Sequence, residues 1–577
     1  MLKKRLSILR FVLIVFIGIV VLAGCGNSSN NNDNNANNNN TETDGNNSNG
    51  ENAGNNDGEE KEPVTLSFFN ADLTEDKSFD DPVAKKITEE TGITLDLQHP
   101  VGGDEQAIPL MIASGDYPDM IYAKGDIGKL IEAGGVIKLD DLIEEKGDNL
   151  KAMYGDQIDR LRNSVDDPGI YTVGTYGVEE ASWEADGTAQ IQLEVLRELG
   201  YPEIETIYDF EDALAEYKEK YPEIDGQETI GLTLLGSDWR WLITVGDKAS
   251  EALGIPGDGQ WSIDDAGEAT YKFTLPEIKE YFAWLNHMHD VGLLDPESFT
   301  HTEDTYISKI SSGRVLGLTD ASWDYDDAES ALKSDGKDWR TYAPLPVTIS
   351  EENKSQELKD YGYAGGWGVS ISSTSEHQDE AFEFLDWLAS EEAQILLNWG
   401  IEGENYEIID GERVMNEEDR ERRKSDSDYS KETGVGYYTY PFPQWGNGAV
   451  DSNGQSITPD TQEDIIAEYT DAEKEVIAEY DMESWIDWFP AQEELEPSNH
   501  GRAANFTIPS GSDLEIIQQK ADDIAEQKIT QAILGDPEDF DDAWEEVQED
   551  LIDAGIEDAN EEMTKITQDI MELWGTK

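Results

Sequence analysis

A strand, a helix and a second strand follow one another soon after residue 63, and this order constrains the fold more than any other stretch. Residues 64–69 read Val-Thr-Leu-Ser-Phe-Phe, and this run of mostly β-branched, aromatic and apolar side chains predicts a strand. Asp81-Pro82 predicts the start of a helix that Thr91-Gly92 ends, and residues 93–97 alternate as a second strand does. Strand, helix and strand in this order indicate a βαβ unit with a right-handed crossover, so we expect an α/β sheet.

The first 25 residues have the organisation of a secretory leader. A basic cluster at residues 3–5 precedes an apolar run over residues 11–22, which is short for a membrane span and typical of a signal peptide. Cys25 follows small residues and is the only cysteine, so it cannot form an internal disulfide. This arrangement resembles the bacterial lipobox, which implies a signal peptide over residues 1–24 and lipidation of Cys25. The alternative is an uncleaved signal anchor with an incidental cysteine.

Residues 25–62 are rich in asparagine and contain no aromatic or branched aliphatic side chain between residues 26 and 61. Such a segment cannot bury enough apolar surface to offset the entropy lost on ordering. We therefore expect a disordered, lipid-anchored tether that places the folded part of the chain outside the cell membrane, on its extracellular face. No second apolar run reaches the roughly 18 residues of a membrane helix, so the lipid is the only expected membrane contact.

The charge of the chain restricts its partners. The formal net charge is −86, with 127 acidic against 41 basic residues. A surface this acidic repels phosphate groups, so no nucleic-acid partner is expected. The carboxylates are spread from Glu59 to Glu572, and we interpret them as an adaptation to solubility in a salty medium. Affinity for a cationic ligand is the alternative interpretation.

Several motifs along the chain occur in an order found in one protein family. A helix closes in Ala-Ser-Gly-Asp-Tyr-Pro-Asp-Met-Ile at residues 113–121 and is followed by Gly-Val-Ile-Lys-Leu-Asp-Asp-Leu-Ile at residues 135–143. Later matches lie at residues 170–173, 196–200, 206–217, 281–297, 312–317, 365–370, 384–388, 399–403 and, more weakly, 506–509. The series resembles the family 1 extracellular solute-binding proteins, the lipoprotein receptors of ABC sugar importers. The order of the motifs carries the resemblance, since no single motif decides it.

The resemblance implies an α/β, two-lobed periplasmic-binding-protein-like fold of type II, with lobes joined by hinge strands and extra C-terminal helices. We expect residues 63–174 and 342–374 to form the N-terminal lobe. Residues 175–341 and 375–577, including a helical tail, are expected in the C-terminal lobe. Crossovers are expected near residues 172–175 and 342–346, and the protein is expected to be a monomer.

The same resemblance implies a receptor that captures an oligosaccharide between its lobes and delivers it to the permease subunits of an ABC transporter. One alternative is the same fold binding a peptide or a cationic solute. The other is a surface lipoprotein that adheres to polysaccharide or acts as a sensor.

An enzyme is not expected, because the chain has no GxSxG, HExxH, P-loop or strand-borne GxGxxG motif. No cofactor or metal is expected either. Few histidines and no second cysteine argue against a structural zinc site. The loop at residues 222–228, at the position where members of the family can hold calcium, has too few oxygen ligands at alternating positions.

Candidate ligand-binding residues follow from the chemistry of sugars, whose C–H faces stack on aromatic rings while carboxylates and amides bind the hydroxyls. Tryptophans at helical spacing are assigned to the core: Trp284, Trp387, Trp485 and Trp488. Tryptophans among loop-forming residues are candidates for the site: Trp183, Trp239, Trp241, Trp323 and Trp367. Asp320 joins them, because ligands of α/β sheets gather beyond the carboxyl ends of strands. Asp119 and Glu402 are further candidates, with helix capping as their alternative role.

Overall fold

The computed structural model describes residues 64–576, except Asp76, residues 101–103, Glu180, Ser182, Asp186, residues 257–258, Ala364, Asn499, residues 502–507 and Ser510. The predicted signal peptide, Cys25 and the predicted tether lie outside the described residues. Within the described ranges, no helix is long and apolar enough to cross a membrane.

The strands of this part of the chain are short. They are β1 (Val64–Asn70), β2 (Ile93–Gln98), β3 (Met120–Tyr122), β4 (Gly177–Val178), β5 (Ala189–Gln192), β6 (Glu223–Ile224), β7 (Gln227–Glu228), β8 (Ile230–Thr233), β9 (Trp261–Ile263), β10 (Ala269–Tyr271), β11 (Val315–Thr319), β12 (Tyr342–Leu345), β13 (Val369–Ile371), β14 (Tyr406–Ile409), β15 (Glu412–Met415) and β16 (Gln444–Trp445).

Helices make up most of the remaining regular structure. They are α1 (Pro82–Thr91), α2 (Asp104–Ser114), α3 (Ile127–Glu132), α4 (Asp140–Lys146), α5 (Asp148–Tyr154), α6 (Leu193–Glu198), α7 (Ile207–Lys220), α8 (Lys248–Ala252), α9 (Lys279–Asp290), α10 (Glu303–Ser311), α11 (Ser322–Ser334), α12 (Gln378–Leu388), α13 (Glu391–Trp399), α14 (Glu417–Ser425), α15 (Tyr429–Thr433), α16 (Gln462–Glu468), α17 (Asp471–Glu479), α18 (Asp513–Ile524), α19 (Thr530–Ile533), α20 (Phe540–Ala554) and α21 (Ile556–Leu573).

The first lobe is built on a four-stranded sheet with the order β13-β3-β1-β2. β1 pairs in parallel with β2, with Val64 opposite Ile93, so the predicted βαβ unit is confirmed. Between these strands, the Asp81 carboxylate accepts a hydrogen bond from the backbone N–H of Ala84 and caps α1, whose first residue is Pro82. Gly92 ends the helix at φ 73°, a conformation that costs little without a Cβ. The predicted limits of this helix are therefore correct.

The second lobe contains the other four-stranded sheet, with the order β12-β5-β11-β8. β11 is parallel to β8 and antiparallel to β5. The C-terminal helices belong to the hydrophobic core of this lobe, where Leu514, Ile529 and Met563 are buried together with Leu232 of β8. The predicted α/β, two-lobed class with extra C-terminal helices is thus confirmed.

Within the described residues, the backbone passes between the lobes three times: between β4 and β5, between β12 and β13, and between β16 and α17. The expected limits of the lobes differ from the structure at these crossings. Residues 342–345, which are expected in the first lobe, form β12 of the second sheet, where Leu345 pairs with Ala189. The polypeptide leaves the first lobe only after β4, rather than at residues 172–175.

Two of the helices that follow β13, α12 and α13, are expected in the C-terminal lobe, but they lie in the first lobe. Phe384 and Leu385 of α12 share a hydrophobic core with Phe68 of β1. Phe442 belongs to the same core, and its ring centroid lies 4.9 Å from that of Phe68. The apolar face of α12 therefore completes the core beneath the first sheet.

Candidate ligand-binding cleft

A cleft of about 1170 Å³ lies between the two lobes. Side chains of the first lobe, of the second lobe and of the crossing segments all contribute to its walls. They include Asp72, Lys124, Trp239, Asp247, Lys248, Glu251, Trp323, Gln356, Glu357, Trp367, Asn398, Tyr440, Trp445 and Asn447. The cleft is large and combines aromatic surface with convergent polar groups, as a small-molecule site does.

Two tryptophans of the second lobe form a flat apolar surface in the cleft. The rings of Trp239 and Trp323 are nearly parallel, with an interplanar angle of 12° and centroids 6.0 Å apart. Their side chains remain 57% and 53% exposed. Large aromatic rings exposed in a concave surface are unusual for a folded protein and indicate a binding surface. We call this pair the tryptophan shelf.

Local structure fixes both rings of the shelf. Trp323 is the second residue of α11, which begins just after β11, at the carboxyl end of a central strand. Trp239 precedes the turn of π-helix at Leu242–Asp247. The Arg240 guanidinium lies 4.9 Å from the centroid of the Trp239 ring. It also donates to Asp324 of α11 at 2.8 Å, and so ties the two halves of the shelf together.

Asp320 lies between β11 and α11 and does not line the cleft. It is fully buried and accepts hydrogen bonds from the Tyr306 hydroxyl at 2.7 Å and from the backbone N–H of Ala321 at 2.8 Å. Burial and the neighbouring Asp324 raise the pKa of Asp320 well above its ordinary value. Burial, opposed by Arg240, raises the pKa of Asp324 to about 6. Asp320 was a predicted ligand-binding residue, and its contacts are instead those of a support for the start of α11.

The first lobe and the crossing segments supply aromatic surface on the other side of the cleft. Trp367 is half-buried, and its backbone carbonyl accepts a hydrogen bond from Thr172 at 3.3 Å. Trp445 of β16 also lines the cleft, and its backbone N–H donates to the Gln394 side chain at 3.0 Å. A ligand between the lobes would therefore meet indole rings from both.

A charged pair and a tyrosine form one polar edge of the first lobe. The Lys124 amine lies 2.6 Å from one oxygen of Asp72, and the Tyr440 hydroxyl donates to the other oxygen at 2.9 Å. Tyr440 is also hydrogen-bonded to the buried Tyr122 hydroxyl. These contacts hold the Asp72 carboxylate from two sides at the rim of the cleft.

The structure places four predicted residues outside the cleft besides Asp320. Trp241 is 2% exposed, donates to Thr530 at 3.0 Å and packs 5.4 Å from Phe273, so it is a core residue. Asp119 accepts from the backbone and hydroxyl of Ser67 and from Ser375, and thereby links β1 to the segment between β13 and α12. The other two are Glu402, which is exposed beside β14, and Trp183, which lies beside Gly448.

Of the eight predicted site residues, Trp239, Trp323 and Trp367 line the cleft together. Lys124, Tyr440 and Trp445 also line it but were not predicted. Trp445 had a usable signal, because the loop-forming Gly446 and Asn447 follow it directly, as Gly368 follows Trp367. Lys124 and Tyr440 lie in stretches whose sequence gives no sign that they converge.

The described residues contain no group of three or more His, Cys, Asp or Glu side chains placed to hold a metal ion. The loop at residues 222–228 is a tight hairpin: β6 and β7 are joined by Asp225 and Gly226, both at positive φ. Such a two-residue turn is typical of Asp-Gly.

The fold and the interlobe cleft define a class of binding protein, and a family model identifies it. The model for bacterial extracellular solute-binding proteins matches residues 70–395, and the chain belongs to this family. Its members are non-enzymatic components of transport systems.

Two individual members of known proteins are similar to this chain in sequence. Lipoprotein LipO of Bacillus subtilis is 24% identical over 313 residues, covering 52% of this chain and 59% of LipO. FusA of Streptococcus pneumoniae, a fructooligosaccharide ABC transporter substrate-binding protein, is 22% identical over 364 residues, covering 60% of this chain and 64% of FusA. The alignments thus span about three-fifths of each of these relatives.

Solved structures extend the likeness of fold to most of the chain. FusA in complex with kestose superposes with a TM-score of 0.64 at 17% identity, over 89% of this chain and 99% of FusA. The HMO-binding solute-binding protein of Bifidobacterium longum infantis gives the same TM-score and identity, over 90% of this chain and all of that protein. At this identity the likeness is one of fold.

Proposed function

We propose that the protein is a lipid-anchored extracellular receptor that captures an oligosaccharide between its lobes and delivers it to the permease of an ABC transporter. The observation that carries the proposal is the exposed tryptophan shelf inside an interlobe cleft that also contains Trp367 and Trp445. The names of FusA and of the Bifidobacterium protein refer to oligosaccharides and support the same class of ligand.

The chemistry of the cleft suits a sugar chain. The shelf offers a flat face to the axial C–H groups of a pyranose or furanose ring. The amides of Gln356, Asn398 and Asn447 lie in the walls, where they can donate to and accept from hydroxyl groups. This combination of apolar faces with polar edges orients a ligand that has both kinds of surface.

Closure of the lobes follows from the division of these groups between them. A ligand that contacts the shelf on one lobe and Trp367 on the other stabilises the closed state more than the open one. The bound protein then presents a different shape, which a permease can distinguish from the free protein. Under this proposal, the rate of transport depends on the population of the closed, ligand-bound state.

The ligand-binding proposal is tested by titrating the purified protein with oligosaccharides and following tryptophan emission and heat of binding. Trp323→Ala and Trp367→Ala should each weaken binding about tenfold to a hundredfold, because the lost ring surface is in contact with the ligand. Tyr208→Ala is the control, since Tyr208 is 43% exposed on the second lobe and does not line the cleft. No response to any oligosaccharide, or equal loss in the control, would contradict the proposal.

A surplus of carboxylates in the cleft favours a second candidate, a cationic solute or basic peptide. Asp72, Asp247, Glu251 and Glu357 all line the cleft. For such a ligand, Glu357→Gln should weaken binding more than Trp323→Ala does. The opposite order is expected for a sugar.

A lipoprotein that only adheres to polysaccharide would bind in the same assay, but deletion of its gene would leave uptake of the bound sugar intact.

The anchor is tested separately from the receptor. Cys25 lies outside the described residues, and its proposed role is to carry the lipid. Cys25→Ala should release the protein from the cell membrane while leaving its affinity for the oligosaccharide unchanged. Membrane fractionation and titration of the same preparation measure both quantities. A loss of affinity in this variant would show that anchor and receptor are not independent.

A further inference from the structure

The charges that line the cleft are unequal. The described lining residues include four carboxylates, those of Asp72, Asp247, Glu251 and Glu357, but only two amines, Lys124 and Lys248, and no guanidinium. Asp247 is bonded to a third amine, that of Lys272, which is 1% exposed and does not line the cleft. Uronates and other acidic sugars need unpaired cations at their binding site, because a carboxylate loses its hydration on entering. A uronate could bind only if the amine of Lys124 or Lys248 were free to pair with its carboxylate.

The amine of Lys248 is already bonded to other groups of the protein. Its side chain is 6% exposed, and its amine lies 2.9 Å from both oxygens of Glu251 and bonds to the backbone carbonyl of Gly187. Burial opposes the charge, but Glu251 and Glu357 raise the pKa of Lys248 above its ordinary value, so the ion pair is retained. This amine has neither the exposure nor the bonding capacity to receive a carboxylate of a ligand.

Arg240, the guanidinium nearest the tryptophan shelf, is also occupied. Its three nitrogens bond to three carboxylates, those of Asp324 at 2.8 Å, Asp238 at 2.8 Å and Glu303 at 2.7 Å. Its side chain is 13% exposed. A sugar stacked on Trp239 therefore has no unpaired guanidinium beside it.

Lys124 is the more accessible cation of the cleft, and Asp72 neutralises it. The two side chains are 34% and 33% exposed, and their charged atoms are 2.6 Å apart. The Tyr440 hydroxyl holds the second oxygen of Asp72 at 2.9 Å, which keeps the carboxylate beside the amine. Removal of Asp72 would turn Lys124 into an unpaired cation at the rim of the cleft.

From these contacts we infer that the cleft selects uncharged oligosaccharides and rejects uronates, and that the Asp72–Lys124 pair determines this selectivity. The inference rests on the proposed function and specifies its substrate class. A uronate entering the cleft meets more carboxylates than amines in its lining, and both amines are already paired. Like charges brought together in an interface are strongly unfavourable. Hydroxyl groups of neutral sugars carry no such penalty and can bond to the lining amides and carboxylates alike.

The test compares neutral trisaccharides (kestose, maltotriose, cellotriose, xylotriose and mannotriose) with trimers of alginate and of galacturonate, by calorimetry and tryptophan emission. At least one neutral sugar should bind, and each uronate should bind about a hundredfold more weakly or not at all. A uronate that binds as tightly as the best neutral sugar would overturn the inference while leaving the proposed function standing. If neither the neutral sugars nor the uronates bind, the proposed function is overturned, and the inference with it.

Variants test the determinant itself. Asp72→Asn should raise the affinity for uronates about tenfold, because it removes one negative charge and leaves Lys124 unpaired. Lys124→Gln should lower the affinity for uronates, because it leaves the Asp72 charge unpaired. Because the two variants should change the affinity for uronates in opposite directions, either one still tests the inference if the other folds poorly.

A matched control lies on the same lobe. Asp167 bonds to Lys138 at 2.5 Å and to the Tyr171 hydroxyl at 2.6 Å, and so repeats the lysine–aspartate–tyrosine arrangement away from the cleft. Asp167→Asn should leave the affinity for uronates at the wild-type value. If Asp72→Asn and Asp167→Asn give the same uronate affinities, the role of the Asp72–Lys124 pair is overturned.

Discussion

At the scale of single residues, Asp522 of α18 shows how a carboxyl group can make stability depend on pH. Its side chain accepts a hydrogen bond from the Tyr271 hydroxyl at 2.7 Å, where α18 packs on the β9–β10 hairpin. Burial raises its pKa to about 7, against roughly 3.9 for an aspartate in an unfolded chain. The folded protein therefore holds this proton more tightly than the unfolded one does.

The sign of the effect follows from this difference. The stabilisation is complete below about pH 4 and is lost as the pH rises through about 7, because ionisation is then penalised only in the folded state. Asp522→Asn cannot ionise and keeps an acceptor for Tyr271. Its free energy of unfolding at pH 8 should exceed that of the wild type by about 2 to 4 kcal/mol, with a smaller gain at pH 5.

Urea denaturation at both pH values measures this difference. The control is Asp523→Asn, which changes the exposed neighbouring carboxylate of the same helix. An Asp522→Asn gain that is equal at pH 5 and pH 8 would contradict the proposed ionisation.

Tryptophan positions mark the limit of prediction at this scale. Trp239 and Trp241 are separated by one residue and both lie among turn-forming residues, so the sequence treats them alike. In the structure Trp239 is 57% exposed in the cleft and Trp241 is 2% exposed in the core. What separates them is α19, from which Thr530 accepts the Trp241 indole N–H. Thr530 is distant from Trp241 in the sequence, so no local sequence pattern predicts this contact.

At the scale of elements, α12 shows how a helix can be predicted correctly and placed wrongly. Its amphipathic pattern identifies a helix with one buried face. The pattern does not say which apolar surface covers that face, and two sheets were available. The same reasoning explains why the βαβ unit was predicted well: its helix and strands are neighbours in the sequence, and local capping at Asp81 and Gly92 fixes their limits.

A polar contact also holds α12 in the first lobe. The Asp386 carboxylate accepts from the backbone N–H groups of Asn149 and Leu150, both at 3.0 Å, in the first turn of α5. The residue before α5, Gly147, has no side chain with which to cap it. Asp386 therefore satisfies from another helix the donors that a local cap would satisfy.

Asp386→Ala should lower the free energy of unfolding by about 1 to 3 kcal/mol, because it leaves these donors unpaired in a buried place. Asp379→Ala is the matched control on the same helix, since Asp379 is 70% exposed and contacts Lys146 at 2.8 Å. An exposed ion pair of this kind contributes less than about 1 kcal/mol. Thermal denaturation of both variants measures the contrast, and equal losses would count against the capping role.

At the scale of the whole molecule, the approach to the first crossing segment is tightly packed. Gly174 has φ 103°, and a Cβ there would overlap the carbonyl oxygen of Pro441, which precedes β16. The Tyr363 hydroxyl, from the second crossing, donates to the Gly174 carbonyl at 2.9 Å. Three separate segments thus meet at one point beside the cleft.

Gly174→Ala should destabilise the protein by more than about 2 kcal/mol, since it adds both backbone strain and a steric clash. Gly134→Ala provides a control that also has a positive φ, 67°, but no atom within 4 Å of an added Cβ. The control should cost only about 1 kcal/mol. Urea denaturation of both separates the clash from the conformational strain, and similar values for the two would show that the contact with Pro441 is easily relaxed.

The interleaving of the lobes has a consequence for how the protein is made. A ribosome delivers β1, β2 and β3 early, but the side chains that cover this sheet, such as Phe384 and Phe442, emerge only after the whole second sheet has been synthesised. Neither lobe can therefore finish folding while the chain is still short. A nascent chain that stays unfolded in this way can still be exported in extended form, as the extracellular receptor proposed above would require.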